Sequence, residues 1–319
     1  MRSFSTMIHA SLDTETEKRL ASIDTDGITV FTLGGGRVRG ALLGGTLMVN
    51  QMRANHRLGA LETLLLGRAY LCAALLGTTL KGRDKLILRV EGDGPAEGFS
   101  VEALADGSVR GHLFRSPIEL ASIPESQGER NLFGSGSLTM TRFAEGRSQP
   151  FVGTVAIKTG RLAEDLAAYY LESEQTRTAF DVGIEFDREG RAIGAGALFL
   201  QALPGADDDF LSRVEASIPS LPKLGLYFSK GGKRHDFLDE QMRELFPEIL
   251  GGKSALFDCG CSRERFETFI GSGSEDFLTE LATVGPWPIE TVCHNCGSAY
   301  YFSKGEIETM LASRRKASS

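Results

Sequence analysis

Residues 258–297 read DCGCSRERFETFIGSGSEDFLTELATVGPWPIETVCHNCG and hold four of the chain's five cysteines, Cys259, Cys261, Cys293 and Cys296. The fifth, Cys72, stands alone far upstream. Cys-x-Cys followed by Cys-x-x-Cys offers four thiolates in two close pairs, and Zn²⁺ accepts four thiolates tetrahedrally at about 2.3 Å. In a reducing compartment such a cluster reads as a metal site first; four unmetallated thiols or two structural disulfides are the competing reading. Gly297, directly after the second pair, suits a knuckle whose backbone amides turn toward sulfur. His294, inside that pair, reads as a loop residue, because four cysteines already complete a coordination shell.

The segments around the cysteines read as short helices. Residues 263–270 carry Phe266, Phe269 and Ile270 on one face, Ser274 caps a second helix running to 284, and Ser303 with Glu306 forms a capping-box pattern for a last one. A segment with so few large apolar groups is marginal by itself, and a metal is the usual remedy. The expectation is a zinc domain over residues 258–319.

Working outward, residues 205–257 hold seven basic and nine acidic side chains and scattered apolar anchors (Phe210, Leu211, Phe237, Leu238, Leu245, Phe246). These are too few for a separate core, so residues 205–257 read as a helical linker that packs on a neighbour and can detach. Its expected helices are 207–217 and 237–246, with Gly251-Gly252 closing the segment. Upstream, residues 30–33 and 37–43 read as strands around a Gly34-Gly35-Gly36 turn. Residues 57–80 read as a long apolar helix, 85–91 and 99–104 as strands, 162–172 as an amphipathic helix, and 180–203 as a hairpin. Strands and helices mix without regular strand-helix-strand spacing, which makes residues 1–204 an α+β core.

Composition narrows the function. The 319 residues are 41% hydrophobic and 24% charged with a net charge of −7, which suits a folded globular chain and gives no basic field for nucleic acid or anionic lipid. Residues 258–319 hold six basic and nine acidic side chains, which disfavours phosphate contact by a zinc ribbon. The most apolar stretch, 58–80, is interrupted by Glu62 and Arg68, so no membrane span is expected, and the chain's start lacks an apolar signal region, which makes the cytoplasm the expected compartment. No phosphate-binding Gly-x-x-x-x-Gly-Lys-Ser/Thr loop and no Gly-x-Ser-x-Gly elbow occurs, and the five histidines sit in no nucleophile context, so no enzyme is expected. Cys293 and Cys296 lack the strand-helix setting of a thiol-disulfide oxidoreductase. Cys72 lies on the apolar face of its helix and reads as an inert core thiol. Zinc-bound thiolates stay nucleophilic toward peroxide, so oxidation of such a site would eject the metal and remove its folding energy.

At this point the chain resembles a known family, the redox-regulated heat-shock chaperone of thirty-three kilodaltons. Cys259-Gly260-Cys261-Ser262-Arg263-Glu264-Arg265 with Cys293-His294-Asn295-Cys296-Gly297 is similar to that family's zinc switch. Leu80-Lys81-Gly82, Glu91-Gly92-Asp93-Gly94-Pro95, Gly107-Ser108-Val109-Arg110-Gly111 and Tyr169-Tyr170 with Ser173-Glu174-Gln175 resemble its core, and Asp207-Asp208-Asp209-Phe210-Leu211 with Arg213-Val214-Glu215 its linker. Two departures stand out: Arg177 where the family usually has a proline, and a less similar stretch at 224–253. The resemblance implies an ATP-independent holdase for unfolded or aggregating client proteins, without nucleic-acid or membrane partners. It implies inactivity while Cys259, Cys261, Cys293 and Cys296 hold one Zn²⁺. Oxidation would then pair Cys259 with Cys261 and Cys293 with Cys296, release zinc, destabilise the linker and accompany dimerisation.

Overall fold

The computed structural model describes residues 7–119 and 130–318. They form two compact units. One is Ser11–Phe257; the other joins residues 7–10 to the chain from Asp258 onward. Residues 205–257 thus group with the preceding core, because their apolar side chains are buried on it, and residues 7–10 group with the cysteines.

In the larger unit, α1 (Thr14–Leu20) starts at Asp13, whose carboxylate accepts the Thr16 N–H. The strands β1 (Gly27–Leu33) and β2 (Val38–Gly44) pair around Gly34, Gly35 and Gly36, all at positive φ as the turn requires. Next come α2 (Thr46–His56) and α3 (Ala60–Gly77), then β3 (Lys85–Gly92), β4 (Gly98–Leu104) and β5 (Ser108–Leu113). After α4 (Arg130–Phe133) follow β6 (Gly136–Phe143), β7 (Phe151–Ala156), α5 (Leu162–Ser173) and the hairpin β8 (Thr178–Phe186) with β9 (Ala192–Ala202). The unit ends with α6 (Asp208–Ser217), α7 (Leu224–Ser229), α8 (Arg234–Gln241), β10 (Glu248–Lys253) and β11 (Leu256–Phe257).

Two sheets result. The first has the order β10-β1-β2-β9-β8, antiparallel throughout; the second has the order β11-β5-β4-β3-β6-β7, where only β11 and β5 run parallel. Helix α3 packs on strands of both. Leu65, Leu66, Ala69, Leu71, Cys72 and Leu75 are all buried, and the buried Tyr70 hydroxyl donates to the Gly111 carbonyl of β5 at 2.9 Å. A helix apolar all round is a core helix or a membrane span. By length and composition α3 qualifies as a span despite Glu62 and Arg68, contrary to the sequence reading; what identifies it as core is that 78% of it is buried in protein. Glu62 is buried too, and its carboxylate accepts the Ile118 N–H at 2.9 Å.

Strand alternation gives the first sheet two apolar faces. Phe31, Leu33, Val38, Leu42, Leu198 and Leu200 point away from α3 and form one cluster with Phe210, Leu211, Val214, Leu224, Phe228, Phe237, Leu238, Met242 and Leu245. Each such side chain contributes roughly 1.5–3 kcal/mol on burial. The Phe210 ring lies over Gly34 so closely that a side-chain carbon there would come within 2.3 Å of it. The expected helix at 237–246 is observed as α8 plus a 3-10 turn at Arg243–Leu245. Gly251 and Gly252, expected to close the segment, lie inside β10, which pairs with β1, a long-range partner that local composition does not reveal.

The smaller unit contains α9 (Arg263–Gly271), α10 (Glu275–Val284), the hairpin β12 (Ile289–Val292) with β13 (Ala299–Phe302), and α11 (Lys304–Ser318). The expected caps are present. Ser274 Oγ accepts the Phe277 N–H, and Glu306 accepts the Ser303 N–H at 2.8 Å. The α+β class holds for the chain.

Candidate metal centre

Cys259 and Cys261 lie between β11 and α9, while Cys293 and Cys296 lie in the turn joining β12 to β13. Ser262 caps α9 by accepting the Arg265 N–H at 3.2 Å, and Arg265 reaches back to donate to the Gly260 carbonyl at 2.5 Å, which fixes the middle of the first pair. The second pair is a knuckle. Cys293 O accepts the N–H groups of Cys296 at 3.2 Å and Gly297 at 2.7 Å, Cys293 N–H donates to Ser298 O at 2.9 Å, and Gly297 takes φ 70°. Arg263 ties the parts together, donating to Tyr301 O at 3.1 Å and to Glu306 at 2.6 Å while lying 4.6 Å from the Phe302 ring centre.

The four sulfurs converge although the pairs are far apart in sequence. All four side chains are buried, and their Sγ atoms lie within 4.8 Å of one another. Cys259 and Cys293 are 3.9 Å apart, Cys261 and Cys296 3.3 Å. Metal–thiolate bonds of about 2.3 Å in a tetrahedron imply sulfur–sulfur edges of about 3.8 Å, so the group can hold a metal ion with little movement. His294 is exposed and outside this group.

The charges point the same way. Cys259 beside Cys261 opposes its ionisation, but hydrogen bonds from Cys293 and Cys296, and from the Tyr300 hydroxyl at 3.2 Å, bring the Cys261 thiol down to about 7. Hydrogen bonding with Cys259 and Cys261 pushes Cys293 and Cys296 up. Four buried thiols this close oppose one another's ionisation, and ionising all four calls for a cation among them. Tyr300 and Ser298, whose hydroxyl lies 3.2 Å from Cys296 Sγ, belong to the site although the sequence reading did not single them out. Their one sequence signal is proximity to the second pair. Cys72 is fully buried in α3, and burial pushes its thiol up to about 12; it is far too weak an acid to be a reactive thiolate at neutral pH.

Comparison with known proteins agrees with this geometry. The family model described as Hsp33 protein matches residues 26–303. The 33 kDa chaperonin of Desulforamulus reducens is 34% identical over 268 residues, covering 83% of this chain and 90% of that protein. That of Clostridium botulinum strain Loch Maree is 33% identical over 282 residues, covering 87% and 93%. The crystal structure of the 33 kDa chaperonin (Heat shock protein 33 homolog) of Thermotoga maritima superposes with a TM-score of 0.82 at 26% identity, over 92% of this chain and all of that one. A matched span that includes both cysteine pairs, on a shared fold, settles the family: the chain belongs to the Hsp33 chaperones.

Proposed function

We propose that this chaperone is an ATP-independent holdase, switched on when Cys259, Cys261, Cys293 and Cys296 are oxidised, and that the ion they hold when reduced is Zn²⁺. The observation that carries the reading is the convergence of four buried thiols within 4.8 Å in a chain of this family. Zinc, when bound, keeps all four sulfurs ionised and adds folding free energy to a unit with a small core. A reducing cytoplasm suits such a site in its resting state.

The chemistry balances on these residues. One thiolate attacks peroxide, forms a sulfenic acid and releases water or hydroxide; its neighbour displaces the second oxygen as water and closes a disulfide. Each disulfide takes two electrons from the pair of sulfurs and reduces one peroxide to two waters. Two such steps, pairing Cys259 with Cys261 and Cys293 with Cys296, leave sulfurs that no longer hold an ion, and the unit loses its fold. The segment 205–257 runs directly into Asp258 and Cys259, so its end is freed at the same time. Withdrawal of Phe210, Leu211, Phe228 and Phe237 then uncovers the sheet face around Phe31, Leu42 and Leu198. A continuous apolar face of this kind takes up unfolded clients without sequence specificity, and it gives a surface for homodimer formation in the oxidised state. The reading includes no enzymatic activity, nucleic acid or membrane.

The test follows metal release, free thiols and suppression of client aggregation in one sample, before and after peroxide. One ion should leave as four thiols disappear, with suppression appearing only then and reversing with reductant. If the ion stays, or leaves with no gain in suppression, the site is structural in a constitutive binding protein.

A further inference from the structure

The smaller unit contains a piece of the chain's other end. Ile8 and Ser298 exchange two hydrogen bonds: the Ile8 N–H donates to Ser298 Oγ at 3.1 Å, and that hydroxyl donates to Ile8 O at 3.2 Å. The same hydroxyl lies 3.2 Å from Cys296 Sγ, and the Ser298 carbonyl accepts the Cys293 N–H that closes the knuckle. Ser298 is 2% exposed, Cys296 is fully buried, and the preceding Met7 is 6% exposed, whereas the Ile8 side chain is 50% exposed. The segment is thus held by its backbone and by Met7.

We propose that residues 7–10 act as a clasp on the cysteine centre, docked through Ser298. The clasp protects the Cys293–Cys296 knuckle from oxidant and is released when the knuckle is oxidised. A serine hydroxyl has one hydrogen and two lone pairs. Here a lone pair accepts the Ile8 N–H, and the hydroxyl lies 3.2 Å from both Ile8 O and the Cys296 sulfur, which accepts its hydrogen when ionised, so the group is fully used. Opening of the segment leaves a deeply buried hydroxyl short of two partners, which is costlier than losing an exposed bond. Reciprocally, pulling Cys296 into a disulfide with Cys293 moves the sulfur from the hydroxyl that holds Ile8. The two ends are coupled through one atom, and linkage runs both ways. This inference rests on the oxidative reading of the four cysteines and adds Ser298 and Ile8 as positioning residues that set how readily they react.

The experiment uses the reduced, zinc-loaded full chain treated with peroxide, with time-resolved alkylation of Cys293 and Cys296 and amide exchange over residues 7–10. Ile8→Pro removes the donor, Ser298→Ala removes the hydroxyl, and Ile8→Val preserves the donor. Ile8→Pro and Ser298→Ala should each speed thiol loss roughly three- to tenfold, the range expected for one buried hydrogen bond. The double variant should be no faster than the faster single, because both remove one interaction. Ile8→Val should match the parent, and amide protection at 7–10 should vanish together with the thiols. Wild-type rates in Ile8→Pro, additive rates in the double variant, or protection at 7–10 that outlasts all four thiols would each overturn the clasp. If Ser298→Ala no longer loads one zinc per chain, Ile8→Pro alone decides. None of these readouts uses a client, so oxidation without chaperone gain would sink the switch and leave the clasp standing.

Discussion

The two units hold themselves together by different means. In the larger one, α3 is buried between two sheets and a second apolar layer, reaching from Phe31 to Leu245, covers the far face of the first sheet. The smaller unit buries Ile270, Leu278, Phe302, Ile307, Met310 and Leu311, while Phe269 and Val284 are more than 70% exposed. With so little apolar burial, a metal held by the four sulfurs would take the place of a core. Stability from many small apolar contacts fails gradually under mutation, whereas stability concentrated in four ligands fails all at once. That difference is what the proposed chemical switch requires.

The largest effect should come from removing the metal. Structural zinc contributes on the order of 10 kcal/mol to the folding of small modules. Strong chelation, or Cys296→Ser, is expected to abolish amide protection across residues 258–318 while β1, β2 and α3 keep theirs. Persistent protection of β12 and β13 without metal would erase the contrast between the units.

Phe210 tests the larger unit's second layer. It is 1% exposed, sits on Gly34 and lies 5.1 Å from the Arg37 guanidinium. Phe210→Ala should cost about 3–5 kcal/mol locally, loosen α6 to α8 in amide exchange, and yield client binding without oxidant. A loosened segment with no client binding would show that the face beneath it is not the client surface.

Much of this was readable from local chemistry. The Gly34–Gly36 turn, the helix expected from Asp207, which begins at Asp208 with Asp207 as its cap, the Ser303–Glu306 box and the four-cysteine spacing all act within a few residues, where residue type dictates geometry. The burial of Leu162, Leu166, Tyr169 and Tyr170 likewise follows from helical spacing. What escaped depends on distant partners. Residues 248–253 carry a glycine pair and mostly exposed side chains, and become a strand only because β1 offers an open edge. The Ile8–Ser298 bridge joins opposite ends of the chain, and no periodicity announces it.

Acid should act in opposite senses on one carboxyl in each unit. Asp26 accepts the N–H groups of Leu47 at 3.0 Å and Met48 at 2.7 Å at the start of α2, yet burial, opposed by those bonds and by Arg234, pushes its carboxyl up to about 6. A carboxyl raised in the fold favours the folded state when protonated. Its contribution is complete below about 4 and is lost as pH rises through about 6, with an upper bound of about 3 kcal/mol. Glu306 is the reverse case: the Ser303 N–H, then its hydroxyl and Arg263, hold it down to about 2, so its support is present at neutral pH and lost as pH falls toward 2. Denaturation of the larger unit at pH 7 and pH 4 should show a gain that Asp26→Asn abolishes; an unchanged pH profile in that variant would remove Asp26 from the account.

The smallest effect belongs to Arg177. Its guanidinium lies 2.9 Å from Asp208 and 3.7 Å from Glu215 on α6, next to Arg37, which is 3.2 Å from Asp207. These groups are largely exposed, so each pair stabilises little and is screened by salt. Their position matters more than their strength, because they tie β8 and the β1–β2 turn to the start of α6, in the segment proposed to open. Arg177→Ala should therefore leave the global melting temperature nearly unchanged and speed exchange of α6 amides about two- to fivefold at low salt. The effect should disappear near 1 M salt and be non-additive with Asp208→Ala. A difference that survives high salt would mean that Arg177 acts through its backbone at the entry to β8, and not as an ionic tie on the segment.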